Sequence, residues 1–220
     1  MRDSMEFLLW VRGPAFNLAL TVFVLGMTVR LLEIFLLGRR PNYAEPRGPE
    51  FGPGMKTVLN RFAVDPGVFS RAPFNVVVGY LWHIGFLACL FLFIPHIELA
   101  HGTFGLSWPG LPNPLVDALA AVTLVSLVAV LIHRNRHPVM RYLTTREDTL
   151  VWIATFLPVL TGYLAYHRAI NPYPVALGLH ILSVELLMVL FPFTQLTHAF
   201  TVFIARWYNG AAFGRKGVQS

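Results

Sequence analysis

A single cysteine, Cys89, stands in 220 residues. One thiol cannot form an internal disulfide, and it rules out any all-cysteine zinc or iron–sulfur site. Charge is equally scarce. Asp, Glu, Lys and Arg make up 13% of the chain, where a soluble domain carries about 25%. No stretch alternates apolar and polar residues as barrel strands do, and no internal repeat is evident. No small-residue cleavage site follows the first apolar stretch, which reads as a retained span rather than a removable signal. What the chain does have is apolar: 55% hydrophobic residues, 18 of them Phe, with a mean hydropathy of +0.59. This excludes a disordered chain, a nucleic-acid-binding basic domain and an ordinary soluble enzyme. It specifies an integral membrane protein whose solvent is the lipid bilayer.

Five apolar stretches, at about 15–37, 74–98, 115–133, 149–167 and 175–204, each approach the ~20 residues a helix needs to cross the hydrocarbon layer. The expected fold is therefore all-α, a five-helix bundle forming one membrane domain over residues 1–220. Basic residues set the orientation. Arg39, Arg40, Arg47, Lys56, Arg61 and Arg71 follow the first span, Arg134, Arg136, Arg141 and Arg146 join the third to the fourth, and Arg206, Arg215 and Lys216 lie in the tail. The other side has only Arg2, Arg12 and Arg168, and 99–114 has none. Thirteen against three, with Arg30 set aside, puts the N-terminus outside and the C-terminus in the cytoplasm. The net charge of +6 is thus a topology signal, and no nucleic acid partner is expected.

The connection 38–73 is rich in Pro and Gly (Pro41, Pro46, Gly48, Pro49, Gly52, Pro53, Gly54) and cannot form one long helix. Within it, 55–64 has the pattern of a short amphipathic helix, either a lipid-surface segment or a docking surface for a cytoplasmic partner.

Polar residues inside spans are costly and mark function, which directs attention to the histidines. His83 lies in the second apolar stretch, and His180 and His198 in the fifth. The last two are 18 residues apart, which on one continuous helix places both rings on one face about 27 Å apart. That spacing suits two stacked metal centres. Haem iron takes two axial ligands from facing helices, so His83 with His198 forms a sensible inner pair. The outer partner of His180 is either His96 or His101. Spacing along an ideal helix favours His101. Depth in the hydrocarbon favours His96, which is ~140° off the face of His83 unless Pro95 re-aims it. His133 and His137 read as part of a basic cytoplasmic patch. His167, at the outer end of the fourth span, is a further quinone-site candidate.

These residues resemble those of the membrane cytochrome b (gamma) subunit of respiratory nitrate reductases and its relatives in sulfite-reductase-associated and heterodisulfide-reductase-like membrane complexes. His180, Phe191-Pro192-Phe193, Leu196 and His198 resemble that family's closing helix, and His83-Ile84-Gly85 its first ligand on the second span. Gly26 to Arg30 resembles the end of its first span. Arg134, Pro138, Arg141, Thr144, Thr145 and Asp148 are similar to its third-to-fourth connection. Phe93 stands where the nitrate reductase subunits place a second ligand. The resemblance therefore implies either an outer haem on His96 (or His101) or an inner haem alone; His96 precedes a Gly-Leu-Ser-Trp-Pro run, Gly105 to Pro109, like one in related sequences. The quinol-site lysine of nitrate reductase subunits has no counterpart.

The resemblance implies haem b, two per chain or one, held by His83, His198, His180 and His96. Menaquinone or ubiquinone is the membrane substrate, and a cytoplasmic iron–sulfur or molybdoenzyme subunit the partner. The place is a prokaryotic cytoplasmic (inner) membrane, which the chain crosses several times. In the family's usual direction quinol is oxidised near the outer surface and electrons pass inward. Arg30 is a candidate propionate anchor, or it snorkels and pairs with Glu33. Glu98, His101 and Glu185 are candidates for the quinone site, Glu185 either accepting protons or hydrogen-bonding across helices. Asp117 and His96 are further outer-side candidates for accepting the quinol protons, and Arg168 is a candidate propionate anchor for an outer haem. The rival from another class is a histidine-bearing transporter or proton channel without haem.

Overall fold

In hydrocarbon every main-chain N–H and C=O must find its partner within the protein, so long apolar runs fold as helices. The structure, a computed structural model, describes residues 2–37, 43 and 45–218; Arg39, Arg40 and Pro41 of the basic connection lie outside them. The described residues contain helices and no strand. In chain order these are α1 (Arg2–Trp10), a π turn (Val11–Ala15), α2 (Phe16–Leu36), α3 (Phe51–Asn60), α4 (Pro66–Arg71), α5 (Pro73–Leu92), α6 (Ile94–Phe104), α7 (Asn113–Arg136), α8 (Pro138–Leu143), α9 (Arg146–Tyr166), α10 (Tyr173–Leu190) and α11 (His198–Arg215).

Five segments are long and apolar enough to cross a bilayer: Arg2–Leu36, Pro73–Leu92, Asn113–Arg136, Arg146–Tyr166 and Tyr173–Phe193. The chain is a multi-pass membrane protein, and many large apolar side chains on these helices are exposed, Leu18, Leu25, Val125 and Leu36 among them. The first helix starts well before the expected residue 15. Its charged early residues lowered the apolar signal without breaking the helix, and the π turn absorbs Pro14, which has no N–H to donate.

The chain packs as two compact units, one of Met1–Val22 with Phe74–Leu190 and the other of Phe23–Pro73 with Phe191–Ser220. In the first, α1 lies on α10 where Gly178 leaves room for Phe7; a Cβ on Gly178 would come 2.5 Å from the Phe7 ring. Gly85 of α5 likewise accommodates Thr123 of α7, and Trp152 of α9 donates its indole N–H to the Leu127 carbonyl of α7 at 2.9 Å. The connection from α7 to α9 is clasped. Arg134 reaches Asp148 at 3.1 Å and Thr144 at 3.2 Å, while Thr145 and Asp148 form a capping box at the start of α9.

In the second unit α3 packs closely on α11. Gly210 and Gly214 of α11 meet Thr57, Pro53 and Pro49, and Gly54 meets Trp207, the small-residue contact that lets helix backbones approach. Arg215 pairs with Glu50 at 2.7 Å. The amphipathic helix expected at 55–64 is thus found four residues earlier. Pro53 falls in its first turn, where a missing N–H costs nothing, and the glycines serve the contact with α11.

The largest difference from the sequence expectation is at the last span. The helix does not run through 175–204. It ends at Leu190, and two short 3-10 turns, Phe191–Phe193 and Gln195–Thr197, precede α11, with Thr194 extended between them. Pro192 cannot continue an α-helix. It is buried and seats against Gly26, where a Cβ would come 2.6 Å from the proline ring. His180 and His198 therefore lie on different helices, α10 and α11, and do not share one face of one continuous helix as their spacing predicts.

Candidate metal centre

The site in the first unit is built by another helix break. Pro95 has no N–H, and α5 stops at Leu92 with Phe93 extended. The last four carbonyls of a helix have no partner within it, and here three of them are taken by residues further along the chain. The Cys89 carbonyl accepts from His96 Nδ1 at 2.8 Å, the Phe91 carbonyl from the Trp108 indole at 2.6 Å, and the Leu92 carbonyl from the Leu111 N–H at 2.9 Å. Gly105 ends α6 in the left-handed conformation, φ 71°. Gly110 lets the returning chain come so close that a Cβ would meet the Leu92 carbonyl at 3.1 Å. The Gly105–Pro109 run thus closes the break.

The break turns His96 toward α10. The rings of His96 and His180 lie 6.1 Å apart between centroids with planes 8° from parallel. At metal–nitrogen bonds of about 2.0–2.1 Å, two imidazoles on one ion have centroids about 6 Å apart. Hydrogen bonding fixes the tautomers. A carbonyl only accepts, so His96 carries its proton on Nδ1 and leaves Nε2 bare. At His180, Thr161 donates its hydroxyl to the Leu157 carbonyl and is free to accept from Nδ1 at 3.4 Å, and the Pro158 carbonyl also faces the ring. Ser183, 2.9 Å from Thr161, donates to the His180 carbonyl at 2.6 Å. Gly162 makes the space, since a Cβ there would be 3.0 Å from His180 Cε1. Two such rings, each held through Nδ1, can ligate one metal through Nε2.

His83 in the first unit and His198 in the second show the same local pattern. His83 Nδ1 donates to the Gly79 carbonyl at 2.7 Å and His198 Nδ1 to the Gln195 carbonyl at 2.7 Å. Arg30 donates Nε to the Pro192 carbonyl at 2.9 Å and pairs with Glu33 at 3.0 Å, so Gly26 and Arg30, one turn apart, both engage the Phe191-Pro192-Phe193 corner. Glu98 and His101 are exposed on α6. Glu185 is 4% exposed, and neither carboxyl oxygen has a partner among the described residues. Arg168 lies over the Tyr173 ring, 5.9 Å from its centroid. No group of three or more His, Cys, Asp or Glu forms a metal cluster among the described residues.

Sequence reasoning did not find the shell behind His180, namely Thr161, Gly162 and Ser183. Hydroxyl and glycine residues in a span carry no signal until their register against the neighbouring helix is known. It also weighed Asp117 and His167 separately. They are 50 residues apart in sequence, and the structure joins them at 2.8 Å.

Over 213 residues the chain is 30% identical to a protein of Nitratidesulfovibrio vulgaris (strain Hildenborough), the match covering 94% of this chain and 93% of that one. The chain belongs to the family of that protein. No family model and no solved structure matches it.

Proposed function

We propose that the chain is a haem b-bearing membrane subunit of a respiratory redox complex. It passes electrons between membrane quinol or quinone (menaquinone or ubiquinone) and a cytoplasmic iron–sulfur or molybdoenzyme partner. The observation that carries the reading is the His96–His180 pair, 6.1 Å apart with near-parallel planes. Among the described residues no third His, Cys, Asp or Glu joins the two imidazoles, a donor set that would suit haem iron, whereas a structural zinc site takes four protein ligands. Bound there, a haem supplies one-electron chemistry. The residues of this chain ligate it, and the main chain and Thr161 fix the ring orientation.

A second haem on His83 and His198 is the expectation of the sequence. Arg30, part exposed beside Glu33, is a propionate partner in that reading. The bias of basic residues argues for an N-terminus outside and a cytoplasmic C-terminus, and the proposed place is a prokaryotic cytoplasmic membrane. With one cysteine in the chain, any iron–sulfur cluster belongs to the partner.

An optical spectrum of the purified protein tests this. Dithionite is expected to produce b-type absorption, with one or two haems per chain. A preparation without it overturns the reading. The histidine-bearing transporter or proton channel would then take its place, a reading favoured by the buried carboxylate of Glu185.

A further inference from the structure

One cluster in the first unit has no part in holding a metal. His167 directly follows α9, and Asp117 lies in the second turn of α7. His167 Nε2 is 2.8 Å from Asp117 Oδ1, and the two side chains are 40% and 30% exposed, open to a ligand arriving through lipid. A carboxylate accepts, so the proton of the neutral ring is on Nε2 and the bare nitrogen is Nδ1, the reverse of the four histidines above. Nδ1 has no partner among the described residues. Around it stand Tyr163, whose ring is 4.4 Å from that of His167, and Tyr166 at 5.2 Å. Tyr166 meets Phe93 at 5.8 Å, Phe93 meets His96 at 5.2 Å, and His96 faces His180.

We infer that the Asp117–His167 pair is the hydroxyl-binding and proton-accepting site for a membrane hydroquinone, placed at the near end of a ring chain that leads to His96. The inference rests on the quinol-oxidising reading above and gives that reading its substrate site. A hydroquinone hydroxyl donates to Nδ1 while its ring lies against Tyr163 or Tyr166. On oxidation the O–H bond breaks. The proton goes to Nδ1, making an imidazolium beside the Asp117 carboxylate, and one electron leaves toward His96 and the one-electron acceptor proposed there. The imidazolium gives its proton to water at this membrane face. The second hydroxyl and electron follow the same route, so two protons and two electrons leave for each quinone formed. Asp117 is a positioning residue: it holds the tautomer and the ring angle.

The test uses the full chain in lipid nanodiscs under anaerobic reducing conditions, with a photoreactive diazirine-bearing naphthohydroquinone as probe. Adducts are located by peptide mass spectrometry, affinity comes from saturation of labelling, and haem per chain is measured on the same samples. Adducts are expected at residues 163–167 or beside Asp117. His167→Phe, which keeps a ring against Tyr163, is expected to weaken probe binding about tenfold, the loss of roughly one hydrogen bond, with haem content unchanged. Asp117→Asn is expected to weaken it less and keeps the fold testable if His167→Phe misfolds. Affinity within twofold of wild type in the folded variants, or adducts confined to other sites, overturns the inference. A wild-type chain that lacks haem but labels at the pair would instead overturn the electron-transfer reading and leave the quinone site standing.

Discussion

His96 donates its Nδ1 proton to the carbonyl of Cys89, seven residues earlier, at 2.8 Å. The bond spans a helix break and both satisfies an orphan carbonyl and aims the other face of the ring at His180. Substituting His96 or His180 by Ala is therefore expected to lower the haem count by one per chain, measured against protein concentration, with His101→Ala leaving it unchanged. A count that falls in His101→Ala and not in His96→Ala would reassign the ligand.

Gly162 offers a subtler probe of the same pair. Its replacement by Ala puts a methyl group 3.0 Å from His180 Cε1, so the ring must shift by a few tenths of an ångström. The expected result is retained folding with a changed haem spectrum or midpoint potential. An unaltered spectrum and potential would show that His180 has slack the packing does not suggest.

In the second unit Gly26→Ala should act on stability. The added Cβ would lie 2.6 Å from Pro192 Cβ and Cγ, and overpacking of this kind costs about 1–3 kcal/mol. Thermal unfolding in detergent is expected at a lower temperature than for wild type, and Gly79→Ala, where no atom lies within 4 Å, serves as control.

Thr145→Ala removes one half of the capping box at α9 and is expected to cost about 1 kcal/mol. Asp148→Ala should cost more, because it also deprives Arg134 of its ion-pair partner. If Asp148→Ala proves the milder of the two, the ion pair contributes nothing.

Glu185→Gln tests the buried carboxylate. Both of its oxygens lack partners among the described residues, and burial of an unpaired carboxyl is costly, so the amide is expected to leave the unfolding temperature equal or higher. A clear fall would show that the carboxyl has a partner once the protein is in lipid.

Helix content was legible from composition because five long apolar runs in a charge-poor chain allow little else in a bilayer. The ends of the helices were less so. Pro14 did not end the first helix, since a π turn absorbed it, while Pro192 did end the last one. Both are prolines inside apolar runs, and the outcome depended on the neighbour: Gly26 gives Pro192 a seat. His96 could be preferred over His101 only by guessing what Pro95 would do to direction. The motif Arg134, Thr144, Thr145, Asp148 was legible as a pattern, and the structure shows it acting as a clasp and a cap. The Asp117–His167 pair was out of reach of spacing arguments altogether, since it joins the start of α7 to the end of α9.

Two of the carbonyls freed at the end of α5 are held by Trp108 and Leu111, residues of the connection between α6 and α7. The break that carries His96 is thereby held in part by residues that are not themselves candidate ligands. On the haem reading, substitutions in 105–111 would offer a dial for the electronic character of the bound group, adjustable while His96 and His180 themselves stay unchanged.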